Sequence, residues 1–179
     1  LDYHDTEWGV PVNDDKKWFE YLVLDTFQAG LSWKIILQKR DGFRKAFYNF
    51  DAHKVAQMSD EHLARLQKDP SIIRNRLKLK ASVTNAQAFI KIQQEFGSFN
   101  TYIWQFTNGK VIHNHFKSLS EIPTTTPLSD KISKDLKARG FKFVGNTICY
   151  AFMQASGLVN DHTTDCFRHQ EIQKISFNK

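Results

Sequence analysis

Two features of this 179-residue chain have residue types and spacings suited to a definite chemistry. The first lies within Leu136 to Cys166, LKARGFKFVGNTICYAFMQASGLVNDHTTDC. It reads as a helix ending in Lys-Ala-Arg-Gly, a tight Phe-Lys-Phe-Val-Gly hairpin, and a second helix from Asn146. Gly140 stands where a helix C-terminus wants a left-handed residue. Gly145 offers a second permissive backbone position, and Asn146 or Thr147 opens the next helix. Such a hairpin leaves backbone N–H groups unpaired at a helix N-terminus, which suits a phosphate oxygen. Lys131, Lys134, Lys137, Arg139 and Lys142 surround it, all of one sign. An ordinary αα-hairpin with a solvated basic face fits the same residues. The second feature is His162-x3-Cys166, which has the close spacing of zinc ligands but is weak evidence by itself.

The elements that must position these groups read as helices. Ser129 can cap the first hairpin helix, with Ile132 and Leu136 at i and i+4 on its buried face. The opening LDYHDTEWGVPV follows no period and reads as a loop carrying function. Asn13 or Asp14 can cap a helix to about Ala29, Gly30 breaks it, and a helix from Leu31-Ser32-Trp33 runs to Lys39-Arg40. Asp41-Gly42 turns the chain before FRKAFYNF continues helically. Short helices over 52–57 and 60–67 follow, the second capped by Ser59. Pro70 then sits in the first turn of a long helix from Ser71 to Phe96. SFNTYIWQF reads as a further short helix and residues 109–127 as loop. There is no internal repeat and little strand signal, so the expected architecture is all-α.

Composition sets the outer bounds. At this length, 41% hydrophobic content suits one globular domain over residues 1–179, with two lobes around a cleft. A net charge of +6 favours a polyanionic partner, and fifteen Phe with four Trp supply both core and stacking surfaces. Two cysteines make no disulfide framework and point to a reducing cytosol. No apolar run approaches ~18 residues and no signal peptide is visible, so the expected location is cytoplasmic, with no membrane partner.

The motifs YHDTEWGVPV, QAGLSW, RGFKFVG and GLVNDH with its following Cys stand in an order that resembles the bacterial 3-methyladenine DNA glycosylase I family, a branch of the helix-hairpin-helix glycosylases. The resemblance covers nearly the whole length. It implies two helical lobes around a base-binding cleft and a hairpin, over 129–157, that holds double-stranded DNA containing alkylated bases. The hairpin residues implied on DNA are Gly140, Lys142, Phe143, Val144, Gly145 and Thr147. A damaged base is flipped into the cleft, and Gly30-Leu31 can enter the gap that it leaves. A plain helix-helix turn with Leu31 in the core fits that pair equally.

Methylation at N3 gives adenine a positive charge and weakens its bond to the sugar. The pocket need not protonate such a leaving group; it must extract the base, hold the cation and admit water to the sugar carbon. Aromatic faces stack on a flat base and attract a cation, so Tyr3, Trp8 and Trp33 are the candidates. Tyr3 and Trp33 are pocket residues by resemblance, although Trp33 alone reads as core. The family's pocket carboxylate is usually a glutamate three residues before the Gln of QAGLSW, here Gln28. This chain has Asp25 there, shorter by one methylene, on the order of 1.5 Å. A hydrogen bond to the exocyclic amine is then lost or bridged by water. Asp25 is the catalytic candidate, and Gln28 joins the substrate-binding set. Outside the motif Asp25 reads as a solvated helix charge, against which Leu22 and Leu24 argue for burial.

The family also clips its termini with a structural Cys2His2 zinc. By resemblance His4, His162 and Cys166 are ligands, the fourth is a Cys upstream of Leu1, and His169 is an outside candidate. Asp161 follows the hairpin too closely to match the aspartate that polarises water in most helix-hairpin-helix glycosylases. Its expected role is a cap or an orienting partner for His162. The expected function is a monomeric, monofunctional N-glycosylase of base-excision repair that releases alkylated purine, chiefly 3-methyladenine. A non-catalytic helix-hairpin-helix DNA-binding protein and a zinc-clipped helical interaction domain are the rivals. Tyr3, Asp25, Gln28 and Trp33 on different elements argue against both, because a scaffold has no need of that set.

Overall fold

Side-chain caps fix where most helices begin in the computed structural model, which describes residues 2–175. The opening expected as a loop holds a short helix, α1 (Asp2–Thr6), closed by Glu7 and Trp8 N–H groups that both donate to the Tyr3 carbonyl. Asp14 caps α2 (Asp15–Gln28), whose residues Trp18 to Phe27 are all buried. Ser32 caps α3 (Trp33–Gln38), and α4 (Arg40–Ala46) follows directly. Gly42 lies inside α4 and makes no turn. A Cβ there would stand 2.1 Å from the Ser71 carbonyl oxygen, so the glycine permits a close helix–loop approach.

The helix expected to continue through FRKAFYNF stops at Ala46. Tyr48, Asn49 and Phe50 all take φ between 50° and 60°, a left-handed turn that tucks Phe50 parallel to Phe47 in the core. Such residues persist only where packing over-determines them. Asp51 and Ser59 cap α5 (Ala52–Ala56) and α6 (Asp60–Leu66). The long helix α7 (Arg76–Phe96) begins later than the position of Pro70 suggests. Asn75 is its cap, and residues 70–75 are taken up by a turn in which Asp69 binds Ser71.

Ser98 caps α8 (Phe99–Trp104); α9 (Pro127–Ala138), α10 (Asn146–Ser156) and α11 (Phe167–Gln173) complete the helices. One small departure from an all-helical chain is a parallel pair of β1 (Ile112–His113) and β2 (Val159–Asn160). It brings Asn114 beside Asp161.

The core forms around α2, with α7, α8 and α10 packed against it. Trp18 meets Phe99, Trp104 and Phe152, while Phe19 meets Phe89. Each fully buried large side chain contributes about 1.5–3 kcal/mol. The two indole N–H groups are satisfied, Trp18 by Asn100 and Trp104 by the Val12 carbonyl. Asp15 accepts from the Phe99 and Asn100 N–H groups and from Gln93, and so ties α2, α7 and α8 together. This assembly is the platform for the groups below.

Candidate functional site

The connection between α9 and α10 is held from two sides. Thr126, not Ser129, caps α9; Ser129 is the third helical residue, and its Oγ accepts from the Thr126 N–H at 2.8 Å. Gly140 takes φ +94° as a helix-ending residue does. Gly145 does not use its freedom: its φ is −61°, and Phe143 takes the second left-handed position at φ 56°. Gly145 is the N-cap of α10, which has no side-chain cap. Among the described residues no protein group accepts from the Gly145, Asn146 or Thr147 N–H.

The Lys142 N–H, by contrast, is occupied. It donates to Asn85 Oδ1 at 2.7 Å, and Asn85 Nδ2 donates back to the Lys142 carbonyl at 3.0 Å. Ser133 Oγ donates to the Val144 carbonyl at 2.6 Å. The basic cluster is also thinner than its residue types imply. Arg139 is paired with Glu95 and Asp135, and Lys134 with Asp130, which leaves Lys131, Lys137 and Lys142 without an acidic partner among the described residues. Sequence reasoning missed Asn85. Its signal was a polar residue at helical spacing among buried Ala81, Ser82, Ala86 and Phe89, where a partner is required.

The break after α2 is equally fixed. Gly30 takes φ +79°, and Gln28 Nε2 donates to the Leu31 carbonyl at 3.0 Å. Lys78, buried on α7, donates to the Phe27 and Ala29 carbonyls at 3.1 and 2.7 Å. A cation there completes the helix end and opposes its dipole. Leu31 is half-buried against the core, so one side chain has both an anchored and an accessible part.

Between this break and α10 lies a pocket of about 250 Å³. It is lined by Trp8, Asp25, Gln28 and Trp33, and by Ala151, Gln154 and Ala155 of α10. Gln154 was not anticipated. Tyr3 is absent from that lining but abuts it: its ring centre lies 5.7 Å from that of Trp33. Asp25 is only 3% exposed, and burial pushes its carboxyl well above the usual carboxylate range. Among the described residues Asp25 Oδ2 is buried with no hydrogen-bond partner, and Tyr3 Oη and Trp33 Nε1 are buried with no well-formed one, the Trp33 N–H acting on the Tyr3 hydroxyl only weakly. Burial, and then the Asp25 charge, raise the Tyr3 hydroxyl far above its ordinary value.

An ion network fixes this wall from outside. Arg40 donates to Glu7 at 2.6 and 2.7 Å and to Glu20 at 2.7 Å, and Lys17 adds a bond to Glu7 at 2.7 Å. Burial would raise Glu7, but the Arg40 and Lys17 bonds outweigh it and hold the carboxyl at about 2. The Arg40 guanidinium stands 5.9 Å from the centre of the Tyr3 ring.

On the other side of Trp8 the ends of the chain meet. Cys166 Sγ lies 3.6 Å from His162 Nδ1 and 4.0 Å from His4 Nε2, and the three ligand atoms are all within 4.8 Å of one another. The donor set fits a zinc ion. His162 Nε2 is engaged by the Trp8 carbonyl at 2.8 Å and His4 Nδ1 by Asp5 at 2.8 Å, so each imidazole turns its other nitrogen toward the sulfur. Burial lowers the His162 pKa, which favours the neutral form that ligates metal. His169 does not join them, because its Nε2 is engaged by the Asn114 carbonyl at 2.6 Å. Asp161 neither caps a helix nor orients His162. It accepts from Asn114 at 2.7 Å, from Gln154 at 3.0 Å and from the Tyr150 hydroxyl.

The family model for methyladenine glycosylases matches residues 1–169. DNA-3-methyladenine glycosylase 1 of Escherichia coli (strain K12) is 51% identical over 92% of this chain and 88% of its own length. A solved structure of 3-methyladenine DNA glycosylase I from Staphylococcus aureus superposes with a TM-score of 0.92 at 40% identity, covering 99% of this chain and 92% of that one. A structure of 3-methyladenine DNA glycosylase I in complex with 3-methyladenine gives 0.91 at 41% identity, over 93% and 90% of the two chains.

Proposed function

The chain belongs to the methyladenine glycosylase family, and from that membership we propose that it releases 3-methyladenine from double-stranded DNA as a monomeric repair glycosylase. The observation that carries this reading is the convergence of an unpartnered buried acid, a tyrosine hydroxyl and a tryptophan N–H beside one small pocket. These polar atoms gather at one pocket, where a polar ligand would supply the partner that the Asp25 oxygen lacks.

The site divides the work by element. The open Gly145, Asn146 and Thr147 amides take backbone phosphate, and Lys137 and Lys142 add charge. Gly30 and the exposed part of Leu31 fill the stack where the base has left. Trp8 and Trp33 sandwich or flank the flat cation, and Asp25 offsets its charge and accepts from its amine. The N3-methylated base departs without a proton, so no general acid is needed. Water then takes its place on the sugar.

His4, His162 and Cys166 would hold a zinc ion, which would tie α1 to the segment before α11 as a structural centre. Among the described residues no helix is long and apolar enough to cross a membrane. The test is base release from methylated duplex DNA, with the purines separated and identified. Release of 3-methyladenine with 7-methylguanine and normal purines left in place is expected. Release of no base favours a DNA-binding module that has lost cleavage.

A further inference from the structure

Both amides at the pocket are turned the same way. The Gln28 nitrogen is committed to the Leu31 carbonyl at 3.0 Å, and the Gln154 nitrogen to the Asp161 carboxylate at 3.0 Å. A carbonyl and a carboxylate only accept, so neither amide can be reversed without losing its bond. Each carbonyl oxygen is left without a hydrogen-bond partner among the described residues, on a side chain that lines the pocket. With Asp25, this makes three acceptors around one base-sized space.

Asp161 is itself fixed. It is 1% exposed and receives Asn114 from the end of β1 and the Tyr150 hydroxyl from α10, while β1 and β2 hold the two chain segments together. A carboxylate with three donors on it has one orientation, and it passes that orientation to Gln154.

Resting on the glycosylase reading above, we propose that Asp161 is a positioning residue for base selectivity: it turns the Gln154 carbonyl into the pocket, so that the pocket offers acceptors and admits an adenine-type base over a guanine-type one. Adenine presents an amine donor where guanine presents the O6 acceptor. A guanine-type base would set O6 against carbonyl and carboxylate oxygens, and a buried acceptor left without a donor is costly. 3-Methylguanine is the sharp comparison, because it has the same methyl position as 3-methyladenine and differs at the edge that these oxygens read.

The experiment uses duplex DNA methylated with dimethyl sulfate and follows release of 3-methyladenine and 3-methylguanine by the parent, Gln154→Leu and Asp161→Asn. Gln154→Leu removes the acceptor and should slow 3-methyladenine release about ten-fold while leaving 3-methylguanine within about two-fold. Asp161→Asn lets the Gln154 amide reverse and should lower the ratio of the two rates about three- to ten-fold. A loss that is equal for both bases in both variants, or an unchanged ratio, overturns the proposal. Gln154 is half-exposed, so its variant carries the test even if Asp161→Asn does not fold. A parent that releases neither base contradicts the glycosylase reading itself, a result distinct from failure of the selectivity argument.

Discussion

His162 holds the main chain of Trp8: its Nε2 lies 2.8 Å from the Trp8 carbonyl oxygen, and the two rings meet edge to face with centres 4.7 Å apart. The other imidazole nitrogen faces Cys166, and Trp8 lines the pocket beside Asp25. The candidate zinc ligands and the pocket therefore share a wall. Zinc bound only by the folded chain at a thousand times its Kd adds about 4 kcal/mol of stability. Treating the zinc-loaded protein with a chelator should lower Tm and also slow 3-methyladenine release, and His162→Ala should do both permanently. A chelated protein that melts earlier but excises at the parent rate breaks the link through Trp8.

Asp25 should have opposite effects on stability and activity. Burial raises its folded pKa above the unfolded value, so its proton stabilises the fold at low pH. That contribution is lost as pH rises through the raised pKa. Asp25→Asn never ionises, so the gap in melting temperature in its favour should widen as pH rises from the ordinary carboxylate range to the raised pKa and stay constant above it. Activity should go the other way, because only the carboxylate attracts a cationic base. Parent kcat/KM should climb with pH, and Asp25→Asn should be flat and roughly ten- to a hundred-fold lower. Asp25→Glu, which restores one methylene of reach, should keep activity. An Asp25→Asn protein as active as the parent removes Asp25 from the pocket's chemistry.

What the sequence makes legible follows from the range of the interactions involved. Asp14, Ser32 and Ser59 cap the helices beside them, and Gly140 ends α9, because caps depend on neighbours a few residues away. Gly42 reads as a turn only until Ser71 is known to press against it, and Tyr48–Phe50 turns left-handed for the sake of Phe50 in the core. The site divides in the same way. Asp25, Gln28 and Trp33 stand within one motif and meet in one pocket. Asn85 and Lys78 act on segments far along the chain, Gln154 meets Asp25 and Gln28 only across the pocket, and no local pattern marks whom they will meet.

Gly145 offers a clean probe of the hairpin. A Cβ built there meets nothing within 4 Å, and φ of −61° suits any L residue. Gly145→Val should therefore fold with nearly the parent Tm. The added side chain stands at the mouth of the open α10 amides, where a phosphate must approach. Affinity for undamaged DNA should fall at every sequence. For the parent, two or three neutralised phosphates predict a slope of log K on log[salt] of roughly −2 to −3. Unchanged binding in a folded Gly145→Val protein moves the DNA contact elsewhere.

Asn85 tests whether that hairpin must be clamped to be useful. Its amide holds both the N–H and the carbonyl of Lys142, and these bonds tie α7 to the turn before α10. Asn85→Ala removes both partners at once and should cost about 1–3 kcal/mol. At ~2–4 °C per kcal/mol for a chain of this size, the loss is readable in Tm. Freed of the clamp, Lys142 no longer meets phosphate in a fixed position, so the salt slope should become shallower by about one. Asn85→Asp keeps the acceptor for the Lys142 N–H and loses the donor to its carbonyl, so it should fall between the parent and Asn85→Ala in both measurements. If Tm drops while affinity and slope stay at the parent values, Asn85 stabilises the fold and the hairpin needs no clamp to bind DNA.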